Sequence, residues 1–188
     1  IDAGHGGVDN GVVGKITGIK ESELNLKYAL ALSDKLNDLG IKTVLTRSTS
    51  AGLYGTATKN RKKKDMLKRK EIIENERPNL VISLHMNYYV LEERRGAQAF
   101  FDNKNESSKN IAQIMQKNLN ELECNVKKYS AIKGEYYVIN CTEYPAVLIE
   151  CGFLSNSEDE RLLLTEEFKD KLLDKIVNGI MEYRIKKI

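Results

Sequence analysis

At 188 residues the chain is long enough to form one domain with a substantial core, and 41% hydrophobic with 30% charged residues is typical of a globular protein. A net charge of +3 is too small to imply a polyanionic partner such as nucleic acid, and no apolar run approaches the roughly 18 residues of a membrane-spanning helix. The three cysteines, Cys124, Cys141 and Cys151, show no C-x-x-C spacing, which argues against a metal knuckle or a disulfide framework.

The first elements of the chain alternate between strand and helix. Residues 1–3 are predicted to be the end of a strand, so we expect the start of that strand and a signal or anchor segment to be missing, and membrane contact only through that segment. Apolar residues then recur at helical spacing from Leu24 to Leu39, and Gly40 follows where a helix end favours a left-handed residue. The β-branched stretch 41–46 predicts the next strand.

The middle of the chain continues this alternation. A second helix is predicted over 64–76, ending before Pro78. The almost continuous apolar run 79–85 predicts a strand that is covered on both faces. A further strand is predicted at 97–101.

The second half of the chain completes the pattern. Ser107 or Ser108 is predicted to cap a third helix, and strands are predicted at 135–140 and 146–150. The inner faces of this helix and of a last helix are indicated by two apolar sets: Ile111, Ile114, Met115, Leu119 and Leu122, and Phe168, Leu172, Ile176, Ile180 and Tyr183. The order of elements predicts a single α/β domain over 1–188, with a mostly parallel twisted sheet and helices on both faces.

Three polar side chains follow predicted strands. His5, His85 and Glu150 each stand at the carboxyl end of an apolar run, where open α/β sheets form their sites, and the two histidines are the only ones in the sequence. Two imidazoles and a carboxylate are the smallest protein ligand set for a catalytic zinc. Two alternatives remain: each histidine can be a hydrogen-bonded structural residue, and the glycines around His5 can form a phosphate nest, although the P-loop pattern is absent.

Four segments carry a family resemblance. DAGHGG (2–7), KESELNL (20–26), SLHMN (83–87) and VLIECGFLSN (147–156) are similar, in this order and spacing, to the four motifs of the zinc-dependent N-acetylmuramoyl-L-alanine amidases. These enzymes are peptidoglycan hydrolases with an α/β fold. The resemblance covers essentially the whole chain.

The resemblance implies a role for each motif residue. It implies one Zn²⁺ per chain, bound by His5, Glu21 and His85, with Glu150 as the catalytic glutamate. The residues by themselves do not choose Glu21 over Glu23, which is also typical of a helix first turn. Glu150 would take a proton from the zinc-bound water and deliver it to the departing alanine nitrogen.

Three further segments narrow the resemblance. Residues 52–69, 94–101 and 136–150 are similar to the sporulation-specific amidases that process spore-cortex peptidoglycan. This implies removal of stem peptides as a step towards muramic δ-lactam and a role in germination. It also implies secretion, with action in the cell wall, the cortex or the intermembrane space of a spore-forming bacterium.

Other functions are less favoured by the sequence. A non-catalytic peptidoglycan-binding module would be expected to have lost one of the four site residues, and all are present. A zinc carboxypeptidase acting on stem peptides would use similar ligands and differ in the bond that it cuts. An open metal site can also bind zinc weakly, so an activating partner protein is a further expectation.

Several residues are candidates for contact with other molecules. The basic run 59–70 is expected to be a solvated helix face, or a surface that recognises an anionic wall polymer or a partner protein; it lacks the aromatic residues expected of nucleic-acid binding. Five residues are candidates for substrate contact: Arg47, Tyr88, Tyr89, Arg94 and Arg95. Three alternatives remain open: Arg47 can instead contact the residues around the metal ligands, the two tyrosines can be half-buried rim residues, and the other two arginines can have only a surface role.

Overall fold

The computed structural model describes residues 1–102 and 104–186. The elements of these ranges are, in chain order, β1 (Asp2–Ala3), α1 (Glu21–Asp38), α2 (Arg61–Glu76), β2 (Val81–Asn87), β3 (Gln98–Phe101), α3 (Glu106–Leu119), β4 (Ile132–Lys133), α4 (Tyr137–Asn140), β5 (Ala146–Phe153), α5 (Ser157–Leu163) and α6 (Glu166–Lys186).

The five strands form one sheet in the order β1-β2-β5-β3-β4. Three of its pairs, β1/β2, β2/β5 and β3/β4, are parallel, and β3 runs antiparallel to β5. The mostly parallel α/β fold that the sequence predicts is therefore confirmed. The register of β2 and β5 sets His85 directly beside Glu150.

Helices cover both faces of the sheet, as predicted. The central strand β5 is buried along its whole length, and its residues alternate between the two faces. Val147, Ile149 and Cys151 belong to the larger apolar cluster, to which α1, α3 and α6 contribute. Ala146 and Leu148 belong to a smaller cluster with residues of α2 and α4. Glu150 follows the second set, so it lies on the face with the smaller cluster.

The predicted helices are present, with some changes at their ends. Helix α1 ends before Gly40, which has a φ of 72°, as expected of a left-handed helix end. Helix α2 begins at Arg61, three residues before its predicted start. The short helix α5 was not predicted. No helix in 1–102 or 104–186 has both the length and the apolar character needed to cross a bilayer.

The strand predicted at 41–46 is wrong. This segment lies beside the start of β1, but its backbone hydrogen bonds with the sheet, within the described residues, are made to Ile1. The amide of Thr46 donates to Ile1 O at 3.0 Å, and the amino group of Ile1 donates to Val44 O at 2.7 Å. β-Branched residues favour an extended backbone, but a β-strand also needs a neighbouring strand with which to form a ladder of hydrogen bonds. Pairing with Ile1 alone does not form such a ladder.

The strand predicted at 135–140 is also wrong. The pairing strand in this region is β4, and residues 137–140 form helix α4. Val138 and Ile139 are adjacent and both are buried, in the smaller apolar cluster. Adjacent residues of a strand point to opposite faces, whereas one turn of helix can bury both on the same side.

The cap of the third helix differs from the prediction as well. Asn105 is the N-cap of α3, and its side chain accepts a hydrogen bond from the amide of Ser108 at 3.0 Å. Ser108 is thus the N3 residue of the helix, and Ser107 lies in its first turn. All ten residues of the predicted inner faces are buried, and nine of them lie in α3 and α6; Leu122 is buried in the turn that follows the end of α3 at Leu119.

Candidate metal and catalytic site

The carboxylate of Glu21 lies between the two histidine rings. Glu21 is the first residue of α1 and is buried. Its Oε1 atom lies 3.2 Å from Nε2 of His5 and 2.8 Å from Nδ1 of His85. One ligand atom from each residue lies within 4.8 Å of the others. The structure therefore brings together the three residues for which the resemblance implies metal binding.

Glu21 is held as a carboxylate. The amide of Met86 and the side-chain amide of Asn25 donate to its Oε1 at 3.2 and 3.1 Å. Burial alone would raise the pKa of Glu21, but its hydrogen bonds with His5 and His85 outweigh burial and lower that pKa far below its ordinary value. An ionised carboxylate with two imidazoles at hydrogen-bond distance is a suitable ligand set for a divalent cation.

His5 lies in the connection between β1 and α1. Residues 4–12 of this connection form a tight loop, here called the His5 loop. His5 has a φ of 60°, a left-handed conformation that is uncommon for residues other than glycine, and Gly6 and Gly7 also have positive φ. Burial lowers the pKa of His5, but the carboxylates of Glu21 and Asp9, at 3.2 and 3.0 Å from its ring nitrogens, outweigh burial and raise it.

Gly4 is required by the close approach of the His85 ring. A Cβ atom at position 4 would overlap three atoms of that ring. The rings of His5 and His85 meet edge to face, with centroids 5.0 Å apart. The glycine before His5 therefore leaves the space that the second histidine occupies.

The side chain of Arg47 holds the backbone at the start of the His5 loop. Its buried guanidinium donates to the backbone carbonyls of Ala3 at 2.9 Å and Gly4 at 2.8 Å. It also donates to Ser22 O, in the first turn of α1, at 2.8 Å, and to Thr49 O at 3.0 Å. These contacts connect the element that carries His5 with the one that carries Glu21. They suit a positioning role, which is one of the two roles that the sequence suggested for Arg47, the other being substrate contact.

A second buried arginine, Arg69 of α2, holds the other side of the loop. Its guanidinium donates to His5 O at 2.6 Å and to Ala3 O at 2.7 Å. Its charge is balanced by Asp2 at 2.5 Å and Asp65 at 2.7 Å. A supporting role for Arg69 was not predicted from the sequence, because this residue lies within a run of basic residues that are otherwise mostly exposed.

Glu150 faces the same site from β5. The residue is 6% exposed, and its Oε2 atom is buried without a hydrogen-bond partner among the described residues. Burial raises the pKa of Glu150 to about 7; the nearby imidazoles of His85 and His5 oppose this effect, and the Glu21 charge adds to it. A buried, unpartnered carboxylate oxygen is costly for stability, and this one is free to exchange a proton with a reactant.

The donor set fits zinc. Two imidazole nitrogens and one carboxylate oxygen are ligand types that catalytic zinc sites use, with a fourth position left for water or substrate. The unpartnered oxygen of Glu150, next to His85 in the register of the sheet, is where such a site needs a base. His5, Glu21 and His85 would hold the ion.

The remaining substrate candidates lie on the loop after β2. Tyr88 and Tyr89 are 50% and 38% exposed, and the guanidinium of Arg94 lies 4.1 Å from the centroid of the Tyr89 ring. Arg95 is 3.5 Å from Asp159 of α5, so its charge is used within the protein. For the two tyrosines and Arg94, substrate contact stays a prediction.

Comparisons with known proteins agree on one family. The family model for N-acetylmuramoyl-L-alanine amidase (Amidase_3) matches residues 1–182. The germination-specific N-acetylmuramoyl-L-alanine amidase of Bacillus subtilis is 34% identical over 187 residues, which cover 97% of this chain and 78% of that protein.

Two solved structures show the same similarity. The CwlD amidase from Clostridioides difficile, solved in complex with the GerS lipoprotein, is 32% identical, with a TM-score of 0.91 over 97% of this chain and 95% of that one. The catalytic domain of CwlV, an N-acetylmuramoyl-L-alanine amidase from Bacillus (Paenibacillus) polymyxa var. colistinus, is 30% identical, with a TM-score of 0.82 over 97% and 94% of the two chains.

Proposed function

Because this chain belongs to the N-acetylmuramoyl-L-alanine amidase family, we propose that it is a zinc-dependent enzyme acting on peptidoglycan. The bond that it hydrolyses joins the lactyl group of N-acetylmuramic acid to the L-alanine of the stem peptide. The observation that carries this proposal is the unpartnered, buried oxygen of Glu150 beside the cluster of His5, Glu21 and His85.

The chemistry follows from these four residues. His5, Glu21 and His85 would hold Zn²⁺, which would supply the Lewis acidity that polarises the amide carbonyl and lowers the pKa of water. Glu150 accepts the proton of the attacking water as the new C–O bond forms. It then donates that proton to the alanine nitrogen as the C–N bond breaks, so one carboxyl acts first as base and then as acid.

The raised pKa of Glu150 supports this double role. A group that must take up and release a proton within one turnover is most effective when its pKa is near the working pH. In the metal-free protein, burial brings the pKa of this carboxyl to about 7, well above its ordinary value of 4.5, and a bound dication would lower it from there.

We also propose a place of action and a partner. The B. subtilis relative is named as germination-specific, which supports action outside the cytoplasm on spore-cortex peptidoglycan, as a step towards muramic δ-lactam. The C. difficile relative was solved with a lipoprotein, which supports a partner protein for this chain too. Such a partner would act as an activator by completing or stabilising the metal site.

The test combines zinc quantification with mass spectrometry of digested peptidoglycan, with and without a chelator. We expect one Zn²⁺ per chain and chelator-sensitive release of intact stem peptides that carry a free alanine amino group. Release of a single terminal amino acid would show a carboxypeptidase instead. Zinc binding and peptidoglycan binding without any released product would show a non-catalytic module.

Two variants separate metal binding from catalysis. Glu150→Gln should retain zinc and lose at least about 100-fold in turnover, because general acid–base catalysis contributes 10²–10⁴-fold. His5→Ala should lose both zinc and turnover, because it removes a ligand. Near wild-type cleavage by Glu150→Gln would contradict the role given to Glu150.

A further inference from the structure

We propose that Asp9 is a positioning residue that fixes the imidazole of His5 for metal binding, and that the segment 9–12 positions the ligands His5 and Glu21 together. This inference rests on the proposed zinc site. It concerns a carboxylate that is not itself one of the three ligands.

The carboxylate of Asp9 is held in place by the backbone. Its Oδ1 atom lies 3.0 Å from Nδ1 of His5 and accepts a hydrogen bond from the amide of Gly11 at 3.2 Å. The backbones of Asp9 and Gly6 exchange two hydrogen bonds, at 2.9 and 3.2 Å, across the tight turn of the His5 loop. Asp9 is therefore fixed relative to His5 at both its backbone and its side chain.

The carboxylate of Asp9 lies 3.0 Å from Nδ1 of His5, at an angle outside that of a hydrogen bond, and its negative charge favours a proton on that nitrogen. A carboxylate at Nδ1 favours the tautomer that carries its proton there, and the lone pair is then on Nε2. Nε2 is the atom that faces Glu21, at 3.2 Å from Oε1. The Asp9 carboxylate thus orients the ring and directs the correct nitrogen towards the metal position.

The residues that follow Asp9 fix Glu21. The amide of Val12 donates to Oε2 of Glu21 at 2.9 Å, and the amide of Glu21 donates to Val12 O at 2.9 Å. Gly11 has a φ of 66°, and a Cβ atom at this position would overlap Oε2 of Glu21. One short segment therefore sets the orientation of one ligand through a carboxylate and of another through a backbone amide.

A simpler explanation is that Asp9 contributes only negative charge near a cation. Two variants distinguish the explanations. Asp9→Asn removes the charge and retains an oxygen that can accept from Nδ1 of His5. Glu23→Gln removes a charge from an exposed residue in the first turn of α1, whose ion pair is with Lys20 at 3.8 Å and not with a ligand. It is a control with the same change in net charge.

The experiment measures the zinc dissociation constant of the full chain by competition with a chromophoric chelator. Asp9→Ala should weaken zinc binding about 10- to 100-fold, the range found when partners of metal-bound histidines are removed. Asp9→Asn should bind zinc more tightly than Asp9→Ala does. The zinc dissociation constant of Glu23→Gln should stay within about twofold of the wild-type value. Circular dichroism of the metal-free variants should match the wild type, which separates loss of metal from loss of fold.

A second readout does not depend on affinity. In the zinc-loaded wild type, the ¹⁵N resonances of His5 should show a protonated Nδ1 and a metal-bound Nε2. The assignment is simple because the chain has two histidines. Loss of the protonated Nδ1 signal in Asp9→Ala, at saturating zinc, is the expected result.

Three outcomes would overturn the inference. The first is equal zinc affinity for Asp9→Ala and the wild type. The second is equal weakening by Asp9→Ala and Glu23→Gln, which would reveal a general effect of charge. The third, a wild type that binds no zinc, would overturn the proposed metal site itself, whereas the first two leave that site in place.

Discussion

The ring of His85 occupies the volume in which a side chain at position 4 would lie. The Gly4→Ala change adds one methyl group that would overlap the ring. Because Gly4 is not among the glycines with positive φ, the backbone conformation itself accepts alanine. The substitution is therefore a local test of the position of His85.

We expect Gly4→Ala to weaken zinc binding by at least about tenfold, since displacement of a ligand costs 1.4 kcal/mol or more. Gly18→Ala is the control for zinc affinity: a Cβ atom there meets no heavy atom within 4 Å, and the backbone strain that alanine takes at its φ of 73° lies outside the His5 loop. Zinc affinity is measured for both variants. Equal affinities would mean that His85 can move without loss of the site.

The buried carboxyl of Glu150 predicts a pH-dependent stability. Its pKa of about 7 in the folded chain lies above the 4.5 of an ordinary glutamate. Below pH 4.5 the group is protonated in both the folded and the unfolded chain, so its ionisation does not lower the free energy of unfolding. As pH rises towards 7 the unfolded chain ionises first, so the folded state loses stability, and the full cost is present above pH 7.

Glu150→Gln, which resembles the protonated form, should therefore stabilise the chelator-treated protein at pH 8 by up to about 3 kcal/mol. At pH 4 the two proteins should unfold at similar denaturant concentrations. Urea unfolding at several pH values gives the comparison. A stability difference that does not change with pH would show that this carboxyl titrates normally.

The sequence identified some residues of the site and missed others. His5, His85 and Glu150 could be predicted because each follows an apolar run, although β2 and β5 continue past His85 and Glu150 to Asn87 and Phe153. Glu21 required the family resemblance, since a helix first turn with two glutamates does not show which one turns inward. Asp9 could not be predicted, because its contact depends on the left-handed turn at His5.

Helix α2 is more than a solvated basic face. Its exposed lysines follow the expectation from the sequence, but Asp65 and Arg69, one turn apart, are buried against the His5 loop. The guanidinium fork of Arg69 reaches two backbone carbonyls and two carboxylates, which a single ammonium group cannot reproduce. The helix therefore acts as a support for the first metal ligand.

Arg69→Lys should destabilise the metal-free protein by about 3 kcal/mol, because it leaves buried carboxylates and carbonyls without donors. The same change at the exposed end of this helix, Arg77→Lys, should have an effect below about 0.5 kcal/mol. Urea unfolding of both variants is the measurement. Similar stabilities would show that α2 is not needed to hold the loop.

Two strands were predicted wrongly, in segments whose structure depends on hydrogen-bonded pairing or packing partners and not on the strand propensity of their residues. The stretch 41–46 has the β-branched residues of a strand but finds one partner residue, Ile1, along the described chain. The stretch 135–140 has the apolar content of a strand but forms a helical turn over the smaller cluster. Neither outcome can be seen in local composition, since each depends on the surface that the segment meets.

At the scale of the whole molecule, metal binding should be coupled to folding. The three ligands come from the His5 loop, α1 and β2, which are separated in sequence, so the unfolded chain has no preformed site. An ion that binds only the folded state stabilises it by an amount set by concentration and affinity.

With zinc at 100 times its dissociation constant, the free energy of unfolding should rise by about 2.7 kcal/mol. Glu150→Gln should show the same increase, because it keeps all three ligands, and His5→Ala should show none. Thermal unfolding at several zinc concentrations gives the comparison. An equal zinc effect on His5→Ala would place the bound ion elsewhere.

The alternation along β5 also determines what a substitution at each position of the strand affects. Odd-numbered positions such as Ile149 are built into the larger cluster, which holds most of the buried apolar side chains, whereas Glu150 points to the thinner layer. The odd-numbered set therefore anchors the strand in the larger cluster, and the even-numbered set carries the catalytic candidate. One eight-residue strand thus holds two kinds of position in alternation: a substitution such as one at Ile149 is expected to act through packing, and one at Glu150 through the site.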